Sequence, residues 1–362
     1  MSVLSLGRII MELPPKTDNP RNSEGAFITL KNGDIMYFYT RYKGKNFSDD
    51  ASADIAYIIS KDNGETFLQG DVLFKCSDFD TEVKKCKNIM SVSLMRMKDE
   101  AIGIFFLIRY DYMDMCAYLF RSYDEGKSWS EGVKCSPAPG YFVTNNDRAV
   151  MLSNGRIVVP ANFHRMRGND TFNTVAESTF FLSDDDGKTF RESQEFCVLQ
   201  DVFGGAGLQE TGVIELEDNI LWAFSRTTLG KQYSCYSYDK GETWTHPVPS
   251  WFSSPCSPMS MKRMPDNRLI AVWNPIPYYR GQKRNAWGMG RNPLALSLSK
   301  DNGKTWIEPY YIEDVFEDAG YCYTAIHFTN DGVLLAYCAG GKDDGVCLCK
   351  TRIRKIRFSE LQ

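Results

Sequence analysis

The stretch "SKDNGETF" at residues 60–67 decides the fold, because nearly the same eight letters return as "SKDNGKTW" at residues 299–306. Three further copies lie between them: "SYDEGKSW" from Ser122, "SDDDGKTF" from Ser183 and "SYDKGETW" from Ser237. Consecutive copies begin 54 to 62 residues apart. A fixed period of this size indicates an array of similar structural units along the chain.

The shared pattern is Ser-x-Asp-x-Gly-x-Thr/Ser-Phe/Trp, and its positions suit a tight turn. The Asp can accept hydrogen bonds from the backbone of its own turn, and the Gly permits a positive φ. The final aromatic ring can anchor the turn onto the sheet below it. We therefore interpret the five copies, called boxes below, as structural turns and not as reactive groups.

The segments between the boxes read as strands. Runs such as "DIMYFYTRY", "AIGIFFLIRY", "ILWAFSR" and "VLLAYCA" are short and rich in β-branched and aromatic residues. Turn signals such as "KNGD" and "SNGR" precede many of them, so each interval of about 60 residues holds about four strands. Radial repetition of such a unit predicts an all-β, six-bladed β-propeller with five box turns.

The same pattern predicts one domain over residues 1–362. The segment from Tyr321 to about Phe358 carries strands without a box and is the expected sixth blade. We expect the N-terminal stretch "VLSLGRIIMEL" to pair with the C-terminal strands and close the ring. The sequence leaves the oligomeric state open.

The composition excludes several classes of partner. A net charge of -4 without a basic stripe argues against nucleic-acid binding. We find no signal peptide and no stretch of membrane-spanning length, which predicts a cytoplasmic protein without membrane contact, or a secreted or periplasmic one if a signal peptide had been removed.

The eleven cysteines lack metal-like spacing and read as reduced, buried thiols. No metal, nucleotide or redox cofactor is expected.

Three longer stretches carry a resemblance beyond the boxes. They are "GLQETGVIELEDNILWAFSR" from Gly207, "GRNPLALSLSKDNGKTW" from Gly290 and "GYCYTAIHFTNDGVLLAYCAG" from Gly320. Together with the boxes they resemble the sialidase (neuraminidase) superfamily, from about Arg21 to the last blade. The resemblance implies a retaining exo-glycosidase that hydrolyses terminal sialic acid, or a related acidic sugar, from a glycan or small-molecule substrate.

The chemistry of such a substrate explains the residue types that the resemblance implies. Arginine can bind the sugar carboxylate through two parallel hydrogen bonds. The same carboxylate repels an anionic nucleophile, so in the family a tyrosine serves as the nucleophile instead. The resemblance makes Tyr323 the nucleophile and Glu210 its base, although Thr211 stands where a proline is usual. It makes Arg226 and Arg291 carboxylate ligands. The rivals are Tyr321 for the nucleophile, and Arg280 and Arg284 for Arg291.

The first part of the chain departs from the family. Where an arginine is expected, the turn "KNGDIMYF" aligns Ser23 or Glu24, and Arg21 or Arg41 remains as the third carboxylate ligand. If Glu24 occupies the place of an arginine, the pocket should favour a hydroxyl-rich or cationic group over a carboxylate there.

The other polar candidates lie in two stretches. "NFSDDASADIAYIIS" offers Asp49, Asp50 and Asp54 as the general acid, of which Asp50 is preferred and Asp49 comes second. "NNDRAVMLSNGRIVVPANFHR" places Asp147, Arg148 and His164 at the expected pocket mouth. Two alternatives to a sialidase remain: an enzyme that hydrolyses or eliminates another acidic sugar such as a uronate, and a non-catalytic glycan-binding propeller.

Overall fold

The computed structural model describes residues 6–169, 171–199, 205–277, 286–314 and 318–361. Its helical structure in these ranges consists of five 3-10 turns, at Cys76–Phe79, Glu217–Asn219, Lys342–Asp344, Cys347–Cys349 and Phe358–Glu360. None of the described helices is long and apolar enough to cross a membrane. Strands make up the rest of the regular structure.

The strands fall into six successive groups along the chain. β1 (Arg8–Leu13) precedes the first group. The first blade contains β2 (Asn22–Thr29), β3 (Ile35–Tyr42), β4 (Ala53–Ser60) and β5 (Leu68–Phe74). The second contains β6 (Asn88–Arg96), β7 (Ile102–Asp111), β8 (Asp114–Ser122) and β9 (Val133–Lys134), and β10 (Tyr141–Val143) follows it. The third contains β11 (Val150–Met151), β12 (Ile157–His164), β13 (Ala176–Ser183) and β14 (Arg191–Glu192).

The last three groups repeat the arrangement. The fourth blade contains β15 (Gln209–Glu215), β16 (Leu221–Arg226), β17 (Lys231–Ser237) and β18 (Val248–Ser253). The fifth contains β19 (Ser260–Arg263), β20 (Leu269–Trp273), β21 (Leu294–Ser299) and β22 (Tyr310–Glu313). The sixth contains β23 (Cys322–Phe328), β24 (Gly332–Cys338) and β25 (Thr351–Arg357).

Each blade is an antiparallel sheet of sequential strands, so the all-β, six-bladed β-propeller that the boxes predict is confirmed. The second and third blades merge into one nine-stranded sheet, because β10 pairs with β8 in parallel and with β12 antiparallel. Six buried apolar clusters lie between neighbouring blades, including one between the sixth blade and the first. Packing between the faces of the sheets therefore holds the ring together.

The five boxes all connect the third strand of a blade to its fourth. In the first box, the Asp62 carboxylate accepts a hydrogen bond from the backbone N–H of Thr66 at 2.9 Å, and Gly64 has a φ of 79°. The same contact recurs in the other boxes at 2.8 to 3.0 Å. In the second box, hydrogen bonds from Ser128 hold the pKa of Asp124 at about 2. Each box is thus a turn that its own carboxylate stabilises.

The sixth blade has no box because its fourth strand comes from the other end of the chain. β1 pairs antiparallel with β25, with Arg8 opposite Lys355 and Leu13 opposite Thr351. Leu13 is also 5% exposed and packs into the cluster between the sixth blade and the first. A single short strand therefore contributes to the sheet of one blade and to the apolar contact with the next.

This arrangement makes Leu13 important for ring closure. We expect Leu13→Ala to lower the free energy of unfolding by about 2–4 kcal/mol, because it leaves a cavity between two blades. Ile9→Ala is the matched control, since Ile9 lies on the same strand and is 45% exposed. Urea unfolding followed by tryptophan fluorescence measures both, and equal losses in the two variants would contradict the packing role of Leu13.

Candidate active site

Four blades direct one residue each into a common central cavity. These residues are Glu24 on β2, Ser91 on β6, Glu210 on β15 and Tyr323 on β23, with φ values of 54°, 62°, 51° and 58°. At each of them the innermost strand shifts register against its neighbour, which is a β-bulge. A left-handed backbone at a non-glycine residue costs energy and is concentrated at functional sites.

The cavity has a volume of about 430 Å³. Its polar lining includes Glu24, Asp49, Ser91, Asn145, His164, Gln209, Glu210, Arg226, Arg291 and Tyr323. Its apolar lining includes Met90, Leu107, Met115, Tyr141, Val143, Phe172, Met289 and Leu348. Every blade contributes to the lining from its strands or adjoining loops, and the fifth and sixth blades contribute Arg291 and Tyr323.

Tyr323 and Glu210 form the central pair of the cavity. The Tyr323 hydroxyl donates a hydrogen bond to Glu210 Oε1 at 2.7 Å. Burial and the neighbouring Glu210 raise the pKa of Tyr323 well above its usual value, while Arg291 and Arg226 act in the opposite direction. The resting state is therefore a neutral phenol that already points its proton at a carboxylate.

Two arginines flank this pair. Arg226 donates from Nε to Gln209 Oε1 at 3.0 Å, and its Nη1 lies 2.8 Å from Glu210 Oε2 without hydrogen-bond alignment. Arg291 lies with its guanidinium 5.3 Å from the centre of the Tyr323 ring and is 3% exposed. The Nε of Arg291 has no hydrogen-bond partner among the described residues. Both side chains thus retain donors that an anionic ligand could use.

Arg21 is held inside the protein and does not line the cavity. Its Nη2 donates to Glu24 at 2.7 Å, its Nη1 to Asp49 at 2.6 Å and its Nε to Ser23 at 2.9 Å. Its guanidinium also lies over the Tyr42 ring at 4.4 Å. Each of its nitrogens already has a protein partner, whereas the sequence analysis offered Arg21 as a third ligand of a substrate carboxylate.

The structure brings Asp49 to the cavity and leaves Asp50 outside its lining. The protein around Asp49 opposes its ionisation, but the ion pair with Arg21 holds the pKa of Asp49 below its usual value. Asp50 instead accepts hydrogen bonds from Arg109 at 2.5 Å and from the Tyr112 hydroxyl at 2.9 Å. Of the two candidates for the general acid, the structure therefore places Asp49, the second choice of the sequence analysis, in the cavity lining.

Three other predicted residues also lie outside the cavity lining. Arg41 lines a separate groove of about 720 Å³ beside β1, because residues alternate faces along β3. Asp147 accepts hydrogen bonds from Lys262 at 2.7 Å and from the backbone of Ile326 at 2.9 Å. Arg148 donates to the Met259 carbonyl at 2.6 Å, and burial lowers its pKa to about 10. The last two connect blades to one another and do not contact the cavity.

Two of the rival residues, Tyr321 and Asp54, also lie outside the cavity lining. Tyr321 packs in the apolar cluster between the fifth and sixth blades, with its ring 6.3 Å from that of Tyr337. Asp54 pairs with Lys43 at 2.8 Å, away from the cavity. Arg280 and Arg284 lie outside the described residues.

Sequence reasoning missed Asn145 and Gln209, which both line the cavity. Gln209 accepts from Arg226, as described above, and Asn145 follows β10 in the stretch "NNDR". Asn145 lies two residues before Asp147, which the sequence analysis favoured because it is charged. Only the backbone conformation decides which residue of this stretch points at the cavity.

His164 lines the cavity as a neutral side chain. Its Nδ1 lies 2.8 Å from the Asn173 carbonyl, so Nδ1 carries the proton and Nε2 keeps a lone pair. Burial, with a contribution from Arg226, lowers the pKa of His164 to about 4. The ring packs against Phe172, with 5.0 Å between the ring centres. His164 can therefore accept a hydrogen bond from a ligand hydroxyl.

Among the described residues, no group of three or more His, Cys, Asp or Glu side chains could hold a metal ion. The ionisable groups of the cavity lining are instead two tyrosines, three carboxylates, a histidine, two arginines and the Cys256 thiol. Such a set can supply a nucleophile, an acid and a base, and it can bind a carboxylate.

Comparison by sequence identifies the repeat family. A family model for the BNR repeat-like domain matches residues 71–335 of the chain. No curated protein matches the chain at a significant level.

Solved structures share the fold over nearly the whole chain. The NanB sialidase from Streptococcus pneumoniae aligns with a TM-score of 0.71 at 15% identity, over 98% of this chain and 71% of that one. The leech intramolecular trans-sialidase gives 0.71 at 16% identity, over 99% and 71%. A protein of unknown function from Dyadobacter fermentans gives 0.69 at 20% identity, over 97% and 99%. The likeness shows a sialidase-like fold.

The neutral state of His164 predicts a specific loss of stability in acid. Because its folded pKa of about 4 lies below its ordinary value of about 6.5, the unfolded chain takes up the proton first, and stability falls as the pH decreases between these values. We expect His164→Gln to remove about 2–3 kcal/mol of the stability difference between pH 7 and pH 4.5. Urea unfolding at both pH values measures it.

The matched control is His246→Gln, since His246 is exposed. This variant should keep the pH dependence of the wild type. A wild-type loss that persists in full after His164→Gln would contradict the buried neutral state of His164.

Proposed function

The chain belongs to the BNR repeat-like family, and we propose that it is a retaining glycosidase of the sialidase type that cleaves a terminal acidic sugar from a glycan or small glycoside. The observation that carries the proposal is the 2.7 Å hydrogen bond from the Tyr323 hydroxyl to Glu210, with Arg226 and Arg291 beside it. A site that only binds glycans needs no nucleophile paired with a base.

In the first step, Tyr323 Oη attacks the anomeric carbon of the sugar. Glu210 Oε1 takes the phenol proton as the new bond forms, so the nucleophile gains negative character only during attack. Arg226 and Arg291 favour that change, because both lower the pKa of Tyr323 against the effect of burial. The same two arginines would hold the sugar carboxylate.

Asp49 is the acid of this step. It gives a proton to the glycosidic oxygen, and the aglycone leaves as an alcohol. Asp49 then takes a proton from water, the water oxygen attacks the anomeric carbon, and Tyr323 leaves and recovers its proton from Glu210. Since Arg21 holds the pKa of Asp49 below its usual value, we expect faster turnover in mildly acidic solution than at neutral pH.

The first test concerns the nucleophile and its base. We expect the wild type to release 4-methylumbelliferone from its α-N-acetylneuraminide. Tyr323→Phe and Glu210→Gln should each lower kcat by at least about 100-fold, because they remove the attacking oxygen and the proton acceptor. Tyr321→Phe is the matched control and should stay within about threefold of the wild type.

Other outcomes would change the proposal. Release of the fluorophore from a glucuronide but not from the sialoside would move the substrate to uronates. Binding of acidic sugars without any release would favour a glycan-binding propeller. Loss of activity in Tyr321→Phe with retention in Tyr323→Phe would exchange the two tyrosines.

The second test concerns the acid. Asp49→Asn should lower the hydrolysis of sialyllactose about 100-fold or more and that of the methylumbelliferyl sialoside much less, because a good leaving group needs little protonation. Asp50→Asn changes the neighbouring carboxylate, which lies outside the cavity lining, and should leave both rates within about threefold. Equal losses on both substrates in Asp49→Asn would argue for a role in binding instead.

A further inference from the structure

The two sides of the cavity carry different chemistry. Arg226 comes from the fourth blade and Arg291 precedes β21 of the fifth blade. Glu24 comes from the first blade and Ser91 from the second. In a six-bladed ring, the fourth blade stands across the axis from the first, and the fifth stands across from the second. A ligand held by the arginines therefore presents its other edge to Glu24 and Ser91.

Glu24 is buried, yet it remains part of the cavity wall. Its side chain is 5% exposed, and its Oε2 accepts hydrogen bonds from Arg21 at 2.7 Å and from Ser23 at 3.0 Å. Its Oε1 is approached by the Ser91 hydroxyl at 3.3 Å, which is a long contact. One carboxylate oxygen is thus fixed by the protein, and the other keeps capacity to accept a further hydrogen bond.

Asn145 supplies a second and independent polar group. It lines the cavity, is 3% exposed, and its Nδ2 has no hydrogen-bond partner among the described residues. The backbone N–H of Asn146 donates a hydrogen bond to Asn145 Oδ1 at 2.8 Å. This contact identifies the oxygen of the Asn145 amide, so Nδ2 is the unpaired atom. A buried amino group without a partner is costly unless a ligand or water satisfies it.

Hydrogen bonds of Asn146 connect the segment that carries Asn145 to the strand that carries Glu24. The side chain of Asn146 donates to the carbonyl of Gly25 at 2.9 Å and to that of Tyr323 at 3.1 Å. Gly25 directly follows Glu24, and Asn146 directly follows Asn145. The side chain of Asn146 therefore connects the segments that carry Glu24 and Asn145. It also contacts the backbone of Tyr323.

We propose that Glu24 and Asn145 form a hydroxyl-binding subsite, in which Glu24 Oε1 accepts a hydrogen bond from a ring or side-chain hydroxyl of the sugar and Asn145 Nδ2 donates one to it. A hydroxyl is both donor and acceptor, so it satisfies both groups at once. The inference rests on the proposed function, since it assumes that an acidic sugar occupies the cavity.

The pairing of an acceptor with a donor excludes other substituents at this position. An ammonium group has no lone pair for Asn145, and a second carboxylate has no proton for Glu24 and would be repelled by it. An O-acylated position likewise loses the donor that Glu24 needs. The subsite therefore selects acidic sugars whose edge remote from the carboxylate carries a free hydroxyl.

The experiment is a double-mutant cycle between the protein and the ligand, measured by isothermal titration calorimetry. The probes are N-acetylneuraminic acid and glucuronic acid, each with its series of monodeoxy analogues. In the wild type, removal of one particular hydroxyl should lower the affinity about 10- to 100-fold. In Asn145→Ala and Glu24→Gln, removal of that same hydroxyl should change the affinity less than about threefold.

The controls separate folding from recognition. Asp50→Asn alters an acidic residue outside the cavity lining and should reproduce the wild-type pattern. Asn145→Ala removes an amino group that has no hydrogen-bond partner among the described residues, so this variant still tests the proposal if Glu24→Gln, which leaves Arg21 with one ion pair fewer, does not fold.

Each result decides the subsite independently of the glycosidase activity. Coupling at one hydroxyl without fluorophore release from any glycoside would support the subsite and reject the glycosidase. Fluorophore release without coupling at any hydroxyl, including the case in which no free sugar binds, would overturn the subsite alone. Tighter binding of an amino-for-hydroxyl analogue by the wild type would replace the hydroxyl assignment with a cation site.

Discussion

The cavity depends on a backbone constraint that four blades share. Regular alternation along an innermost strand would send successive side chains to the two faces of the blade, where the clusters between neighbouring blades are packed. A bulge interrupts this alternation at one residue, and the left-handed backbone there turns Glu24, Ser91, Glu210 or Tyr323 toward the axis. Such a conformation persists only where the surrounding structure fixes it, so the geometry of the site depends on the packing between blades.

The same constraint explains what the sequence could and could not predict. The boxes predict the propeller because each is a local turn whose stabilising contacts lie within eight residues. The motifs around Glu210 and Tyr323 likewise place the central pair. Sequence periodicity, however, puts Tyr321 and Tyr323 on one face of a strand, and only the bulge between Cys322 and Ala325 separates them. In "NNDR", charge favours Asp147 over Asn145, although the backbone directs Asp147 toward Lys262.

The buried arginine of the first blade has a different role from Arg226 and Arg291. Arg21 is 1% exposed and contacts two carboxylates of the cavity wall, so its charge serves to keep Glu24 and Asp49 in place. Removing a buried partner of this kind leaves an uncompensated charge, which is strongly destabilising. The protein thus retains a cation near the position where the family resemblance predicts one, and directs it at its own side chains. At that position the cavity is lined by the Glu24 carboxylate, which accepts hydrogen bonds.

The closure of the ring by β1 has a mechanical consequence. Arg8 lies opposite Lys355, so the start of β1 and the end of β25 lie at the same edge of the sixth blade. A force that separates these two points acts at one end of the hydrogen-bonded ladder and opens its bonds one after another, as a zipper does, instead of loading them all together. Tension transmitted through flanking chain would therefore peel β1 away first and extract Leu13 from between the sixth blade and the first.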